Sequence, residues 1–352
     1  MEIEVRQDLP AVDSAAALAA RQRWDRLTKP LGSLGRLEEL GVRLAGITGQ
    51  VQPTIARKVI FTVAADHGVV EEGVSAYPQA VTAQMVLNFL RGGAGINVLA
   101  RHVGAEVVVV DAGVAAADFE GQPGVVIRKI RRGTSNMVRE PAMSRAEAQQ
   151  ILQMGAGLFE EMHRLKPIHL VGLGEMGIGN TTASAALTAV LTGSDVARVT
   201  GRGTGLTDEQ LRRKIQVIEK ALQRHQPVPE DPLGSLACVG GFEIGFLAGI
   251  ILEAARARVP IVLDGFITTA AALVAQGFCP GVRDYLIASH CSVEPGHRIQ
   301  LEHLGLEPLL DLQLRLGEGT GAALAFSLIE ASIKLVSEMA TFEEAGVSKK
   351  IG

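Results

Sequence analysis

Ile168-His169-Leu170-Val171-Gly172-Leu173-Gly174-Glu175-Met176-Gly177-Ile178-Gly179-Asn180-Thr181-Thr182 runs directly into an alanine-rich segment, Ala183 to Leu191. The apolar run Ile168 to Val171 predicts a short strand. The glycines that follow predict a loop with uncovered backbone N–H groups. The alanine-rich segment predicts a helix. Strand, glycine loop and helix in that order make one unit of a parallel α/β sheet.

The same alternation extends on both sides. Further candidate strands are Lys58 to Ala64, Glu106 to Val110, Val125 to Ile130, Pro260 to Leu263 and Asp284 to Ala288. Several are apolar throughout, as strands covered on both faces should be. Candidate helices include Ser144 to Leu165 and Thr207 to Gln223, where Ser144/Glu147 and Thr207/Gln210 have capping-box spacing. In the first fifty residues Leu34, Leu37, Leu40, Leu44 and Ile47 recur at helical spacing, and Gly49 closes the pattern. The turn Thr28 to Gly35 precedes them, with Ser33 as a cap. A long helix, Thr320 to Ala340, returns to these N-terminal helices. The expected fold is α/β, a Rossmann-like parallel sheet flanked by helices.

Composition agrees. The chain has 352 residues, 47% of them apolar, only 4% aromatic, with 40 glycines. Small residues suit close-packed layers better than an all-β sandwich. A net charge of −4 leaves no electrostatic footprint for nucleic acid. The basic groups Arg128 to Arg132 and Arg212 to Lys214 read as solvated faces. Cys238, Cys279 and Cys291 form no close pair, which points to a reducing compartment. The start, Met1-Glu2-Ile3-Glu4, lacks the basic and apolar regions of a signal peptide. Ile244 to Leu252 is too short to span a bilayer. A cytoplasmic protein with no membrane partner is expected.

Polar and glycine residues follow most strand candidates: Asp66-His67-Gly68, Asp111-Ala112-Gly113, Gly172 to Thr182, Asp264-Gly265 and Ser289-His290-Cys291-Ser292. Ligands of open α/β sheets bind beyond the carboxyl ends of strands. Gly172-x-Gly174-x-x-Gly177 has the spacing of a dinucleotide fingerprint, which leaves an NAD-dependent oxidoreductase as one reading. It lies midway along the chain, however, and no acid closes a second strand at the required distance. Phosphate binding fits better. Gly177, Ile178, Gly179, Asn180, Thr181 and Thr182 offer N–H groups and two hydroxyls at a helix N-terminus. A second glycine loop, Thr200 to Gly205, precedes the helix that carries Lys214. Both loops are expected to hold one phosphate. His290, Cys291, Glu294, His297, Glu302 and His303 have no trustworthy metal spacing, and His67 is either a pocket or a loop histidine.

Near the C-terminus, Arg315-Leu316-Gly317-Glu318-Gly319-Thr320-Gly321 places one carboxylate in a glycine turn before an apolar helix. Apolar neighbours raise a carboxyl pKa by desolvation, which suits a general base. Support for the following helix N-terminus is the alternative role.

Taken together, Thr28 to Gly35, Ala65-Asp66-His67-Gly68-Val69, Tyr77-Pro78-Gln79, Gly92 to Val98, Gly133 to Met137, Gly174 to Thr182, Thr200-Gly201-Arg202-Gly203, Leu263-Asp264-Gly265, Ser289-His290 and Arg315 to Gly321 resemble the nicotinate-nucleotide–dimethylbenzimidazole phosphoribosyltransferase family. The motifs span nearly the whole chain in the family's order. The resemblance implies a large Rossmann-like catalytic domain, residues 51–329. It also implies a small helical domain built from residues 1–50 plus 330–352, and a homodimer. It implies transfer of phosphoribose from nicotinate mononucleotide to dimethylbenzimidazole in cobalamin assembly, with no metal and no organic cofactor. Glu318 then matches the catalytic base and Glu175 an assisting carboxylate or ribose ligand. Gly177 to Thr182, Gly203 and Lys214 would hold phosphate and ribose, with Asp264, Ser292 and Arg315 as further nucleotide-site candidates. Tyr77, Gln79, Gln84, Met85 and Leu316 would line the base pocket. A non-catalytic relative that binds a nucleotide or a flat base is the other reading.

Overall fold

A computed structural model describes residues 9–115, 119–203 and 205–348. The reading of Met1 to Glu4, the outer ends of the proposed small domain and Thr204 of the second glycine loop lie outside the described residues.

Among the described residues six parallel strands form one sheet: β1 (Lys58–Ala65), β2 (Glu106–Gly113), β3 (Val125–Ile127), β4 (Leu170–Met176), β5 (Ile261–Leu263) and β6 (Leu286–Ala288). Their spatial order is β3-β2-β1-β4-β5-β6. This is the doubly wound order, and the chain reverses direction across the sheet between β1 and β4. Alternate residues face opposite sides. Val59, Phe61 and Val63 join Ile151 and Phe246 in one buried cluster. Ile60 and Ala64 join Leu44, Ile96, Phe326 and Ile329 in the other. Both faces are therefore covered.

Several boundaries differ from expectation. β4 starts at Leu170 and runs to Met176, so Gly172, Gly174 and Glu175 are strand residues and the loop begins at Gly177. β3 stops at Ile127. β6 starts at Leu286 because Pro280–Tyr285 winds into a 3₁₀ turn led by proline. Ser33 caps nothing. Gly35 is the N-cap of the Arg36–Thr48 helix, and Glu38 accepts the Leu34 N–H at 2.9 Å while pairing with Lys29 at 2.8 Å. The capping boxes at Ser144 and Thr207 form as expected.

The Thr320–Glu338 helix has the length and apolar composition to cross a membrane, yet over half of it is buried inside the protein. Its first turns pack on the sheet through Ala322 and Phe326. Its last turns meet the N-terminal helices, where Ser332 Oγ donates to Leu37 O at 2.6 Å and Trp24, Leu27 and Val336 form a small core. Residue 330 thus falls inside a continuous helix.

Glycine sets the closest helix contact. A Cβ at Gly249 would overlap the Leu152 carbonyl, and one at Gly155 would overlap that of Phe246. The Arg145–Leu165 and Phe242–Arg256 helices therefore touch backbone to backbone. Gly249→Ala is expected to lower stability by about 3 kcal/mol, read from urea unfolding. An unchanged midpoint would show that the helices can separate freely.

Candidate active site

A cleft of about 260 Å³ opens beyond the carboxyl ends of the strands. Its walls include Glu175, Gly177, Ile178, Asn180 and Thr181 from the end of β4 and the turn after it, Gly203 from the second glycine loop, and Ser292. Tyr77, Arg315 and Leu316 complete the predicted residues on its surface. The cleft lies at the β4 side of the switch point, where α/β sheets place ligands.

Glycine lets the first loop pass close to β1. A Cβ at Gly177 would overlap the Ala65 carbonyl, and Gly179 has φ +96°. Ile178 N–H donates to Thr82 Oγ1 at 3.1 Å, which ties the loop to the Ala80–Leu90 helix. The Asn180–Thr192 helix starts at once, so its N-terminal end borders the cleft at Asn180 and Thr181, while the Asn180 and Thr182 N–H groups turn back to Gly177 O at 3.1 Å and Gly179 O at 2.9 Å. Lys214, from the Asp208–His225 helix, is fully buried behind the cleft wall and donates to Thr181 Oγ1 at 2.7 Å and Gly201 O at 3.3 Å. Burial pushes its pKa down to about 8, against the opposing pull of Glu294.

Ser292 is held from behind. Its N–H donates to His297 Nδ1 at 2.9 Å, and His297 Nε2 lies 3.0 Å from Thr269 Oγ1. Burial first, then the neighbouring His290, lower the His297 pKa to about 3, so the ring is a neutral strut. His290 lines the cleft with its Nε2 3.6 Å from Asp264 Oδ1. Burial opposes its protonation, but Asp264 outweighs this and raises the pKa. His290 and His297, grouped in the sequence by metal-ligand type, thus sit in different settings.

Two carboxylates stand close together. Glu175, at the end of β4, is buried and accepts a hydrogen bond from Asn180 Nδ2. Burial, then the negative charges of Asp264 and Glu243, push its pKa up to about 8. Its side chain lies over Gly317, where a Cβ would overlap Oε1. Glu318 follows, buried, with φ +65° between Gly317 at +83° and Gly319 at +99°. Its Oε2 accepts the Ile96 N–H at 3.1 Å, at the N-terminus of the Gly95–Val103 helix. Burial raises its pKa, and that hydrogen bond partly opposes the rise.

Asp264 does not line the cleft. Its two oxygens accept the N–H groups of Gly319 at 3.0 Å and Gly321 at 2.6 Å, so it clasps the Glu318 turn. Thr182 and Gly179 lie behind the wall, and Glu318 itself stands behind Gly317. Gln79 caps the Ala80–Leu90 helix, Gln84 is exposed on it, and Met85 is half-buried against the core; these three stay off the cleft wall. Tyr77 and Leu316 form an apolar rim, 53% and 61% exposed. Sequence reasoning missed Met176, Phe266 and Ile267 on the wall because apolar residues next to strands read as core. It assigned no role to His290, Glu294 and Gly317 in the cleft, although their positions after β6 and inside the glycine turn were signals.

The sign of the Glu175 shift makes a stability prediction. A carboxyl with a folded pKa near 8 and an unfolded value near 4.5 favours folding below 4.5, and that contribution is lost as pH rises through 8. Glu175→Gln removes the titration. The melting temperature of the variant minus that of the unsubstituted protein should therefore rise between pH 6 and pH 9. A constant difference would place Glu175 in an ordinary carboxylate environment.

A phosphoribosyltransferase family model matches residues 9–347. The chain is 58% identical over 338 residues to a nicotinate-nucleotide–dimethylbenzimidazole phosphoribosyltransferase of Geobacter sulfurreducens, covering 96% of each chain. It is 58% identical over 339 residues to the protein of the same name from Chloroflexus aggregans, again covering 96% of each. The crystal structure of CobT from Thermus thermophilus superposes with a TM-score of 0.92 at 51% identity, covering 96% of this chain and 100% of that one. With doubly wound order, glycine-loop cleft and matches over almost the full length, the chain belongs to the nicotinate-nucleotide–dimethylbenzimidazole phosphoribosyltransferase family.

Proposed function

We propose that this chain transfers phosphoribose from nicotinate mononucleotide to 5,6-dimethylbenzimidazole, giving alpha-ribazole 5′-phosphate and nicotinate. The observation that carries the reading is a cleft lined by two glycine loops and by Glu175, a buried carboxylate whose pKa is raised, with Glu318, also raised, directly behind Gly317 of the wall. The loop from Gly177 to Thr182 and the second loop at Gly203, with Lys214 and Ser292, hold the 5′-phosphate and ribose. Arg315 lies on the same wall and supplies a further cation.

The chemistry asks for one proton acceptor. Nicotinate leaves from a pyridinium, so the C–N bond electrons neutralise the ring and no acid is needed. A benzimidazole nitrogen lone pair forms the new bond on the opposite face of the anomeric carbon, which inverts it from beta to alpha. Positive charge builds on the attacking ring until its N–H proton moves to Glu318. Glu175, once ionised beside the pyridinium of the bound nucleotide, favours oxocarbenium character at the ribose. Tyr77 and Leu316 offer an apolar rim for the flat base, with Gln79, Gln84 and Met85 on the element behind it.

The same reading takes residues 1–50 with 330–352 as a small helical domain beside a catalytic domain of residues 51–329. It takes the protein as a cytoplasmic homodimer with no membrane or nucleic-acid partner. The test is incubation with both substrates and chromatography for nicotinate and alpha-ribazole phosphate. Nucleotide binding without any nicotinate release would favour a non-catalytic binding protein instead.

A further inference from the structure

One acidic side chain stands among the groups that attract phosphate. Glu294, the N-cap residue of the Pro295–Leu304 helix, is buried and lines the cleft. Its Oε1 accepts the Gly203 N–H at 2.9 Å. Its charge acts on Lys214. Its Oε2 is buried without a hydrogen-bond partner among the described residues and lies against Gly201, where a Cβ would overlap it. A carboxylate and a phosphate dianion repel strongly at such separations. They also need the same N–H donor. The side chain thus presents two oxygens where a phosphate would present its own.

On the phosphate-binding reading of the two loops, we propose that Glu294 is a resident anion of the phosphate cradle, occupying the Gly203 N–H beside Lys214 while the site is empty and giving way when the nucleotide phosphate arrives. The arrangement explains how Lys214 can be fully buried, since a buried ammonium needs a nearby counter-charge. It also sets a limit on affinity. Every phosphate, on substrate or product, must displace an anion already in place, which weakens the bound state and favours release.

Titration calorimetry with inorganic phosphate as the probe tests this on the full chain and on Glu294→Gln, Glu294→Ala and Lys214→Met. Removing the resident charge should tighten phosphate binding at least about fivefold in both Glu294 variants, and Lys214→Met should weaken it. If Lys214→Met weakens binding but neither folded Glu294 variant binds more tightly, the cradle stands and the resident-anion role is overturned. If Glu294→Gln leaves phosphate binding unchanged but weakens nicotinate riboside, Glu294 is a ribose ligand and the proposal fails. If Lys214→Met has no effect on phosphate, the loops are not the phosphate site and the parent reading falls with it.

Discussion

Glu318→Gln lowers turnover by at least about 100-fold while nicotinate mononucleotide still binds. General-base catalysis contributes roughly 10²- to 10⁴-fold, and no other group is assigned to take the benzimidazole proton. Glutamine keeps an oxygen that can accept the Ile96 N–H, so the turn and the nucleotide loops should hold their shape. Nicotinate release measures turnover, and calorimetry measures binding. Turnover within tenfold of the unsubstituted protein would remove Glu318 from the mechanism. The pH profile gives a second readout. Burial holds the Glu318 pKa above its ordinary value, and the base must be unprotonated. The rate should fall as pH drops through that raised value, and this limb should vanish in the glutamine variant.

Gly174→Ala should be nearly as damaging without touching a reacting group. Gly174 lies inside β4, and its α-carbon abuts the Glu318 carbonyl and the Gly319 nitrogen. A methyl group there overlaps backbone on the far side, not the tip of a flexible side chain. β4 is hydrogen-bonded to β1 and β5, so the turn must move. Moving it breaks the bond from Thr62 Oγ1 to Glu318 O, 3.0 Å long, and the Asp264 clasp. Overpacking of this kind costs about 1–3 kcal/mol, but the displaced base should cost activity far more than stability. Gly172→Ala is the control, since its neighbours are side-chain atoms of Ile60, Phe326 and Ala322 and not backbone. A fully active Gly174→Ala protein would show that the close approach does not position Glu318.

The error at β4 shows where local sequence stops being informative. Glycines at 172, 174 and 177 read as one loop because glycine weakens an isolated strand. In the fold the first two are strand residues. Gly172 makes room for Phe326 and Gly174 for the Glu318 turn, both from a segment far along the chain. Alternation of strands and helices was legible because both faces of the sheet are apolar and periodic. The Glu318 turn and the two glycine loops were legible because glycines mark them. Asp264 read as a nucleotide ligand because it ends a strand, but its partners, Gly319 and Gly321, lie across the fold. Glu294 reaches Gly203 in the same way, and no spacing announces it.

The bond between Thr62 and the Glu318 carbonyl joins residues 256 positions apart. During synthesis β1, β4 and both glycine loops leave the ribosome long before the base does. Domains begin to fold from the N-terminal side as they emerge. Until the Thr320–Glu338 helix arrives, Ile60, Ala64, Leu170 and Val262 lack the cover of Ala322, Phe326 and Ile329, although Leu44, Val86 and Ile96 from earlier helices already pack in the same cluster. An incomplete chain therefore carries a partly bare sheet and lacks Glu318. A prematurely terminated product is a substrate for chaperones and proteases before it is ever a partial enzyme.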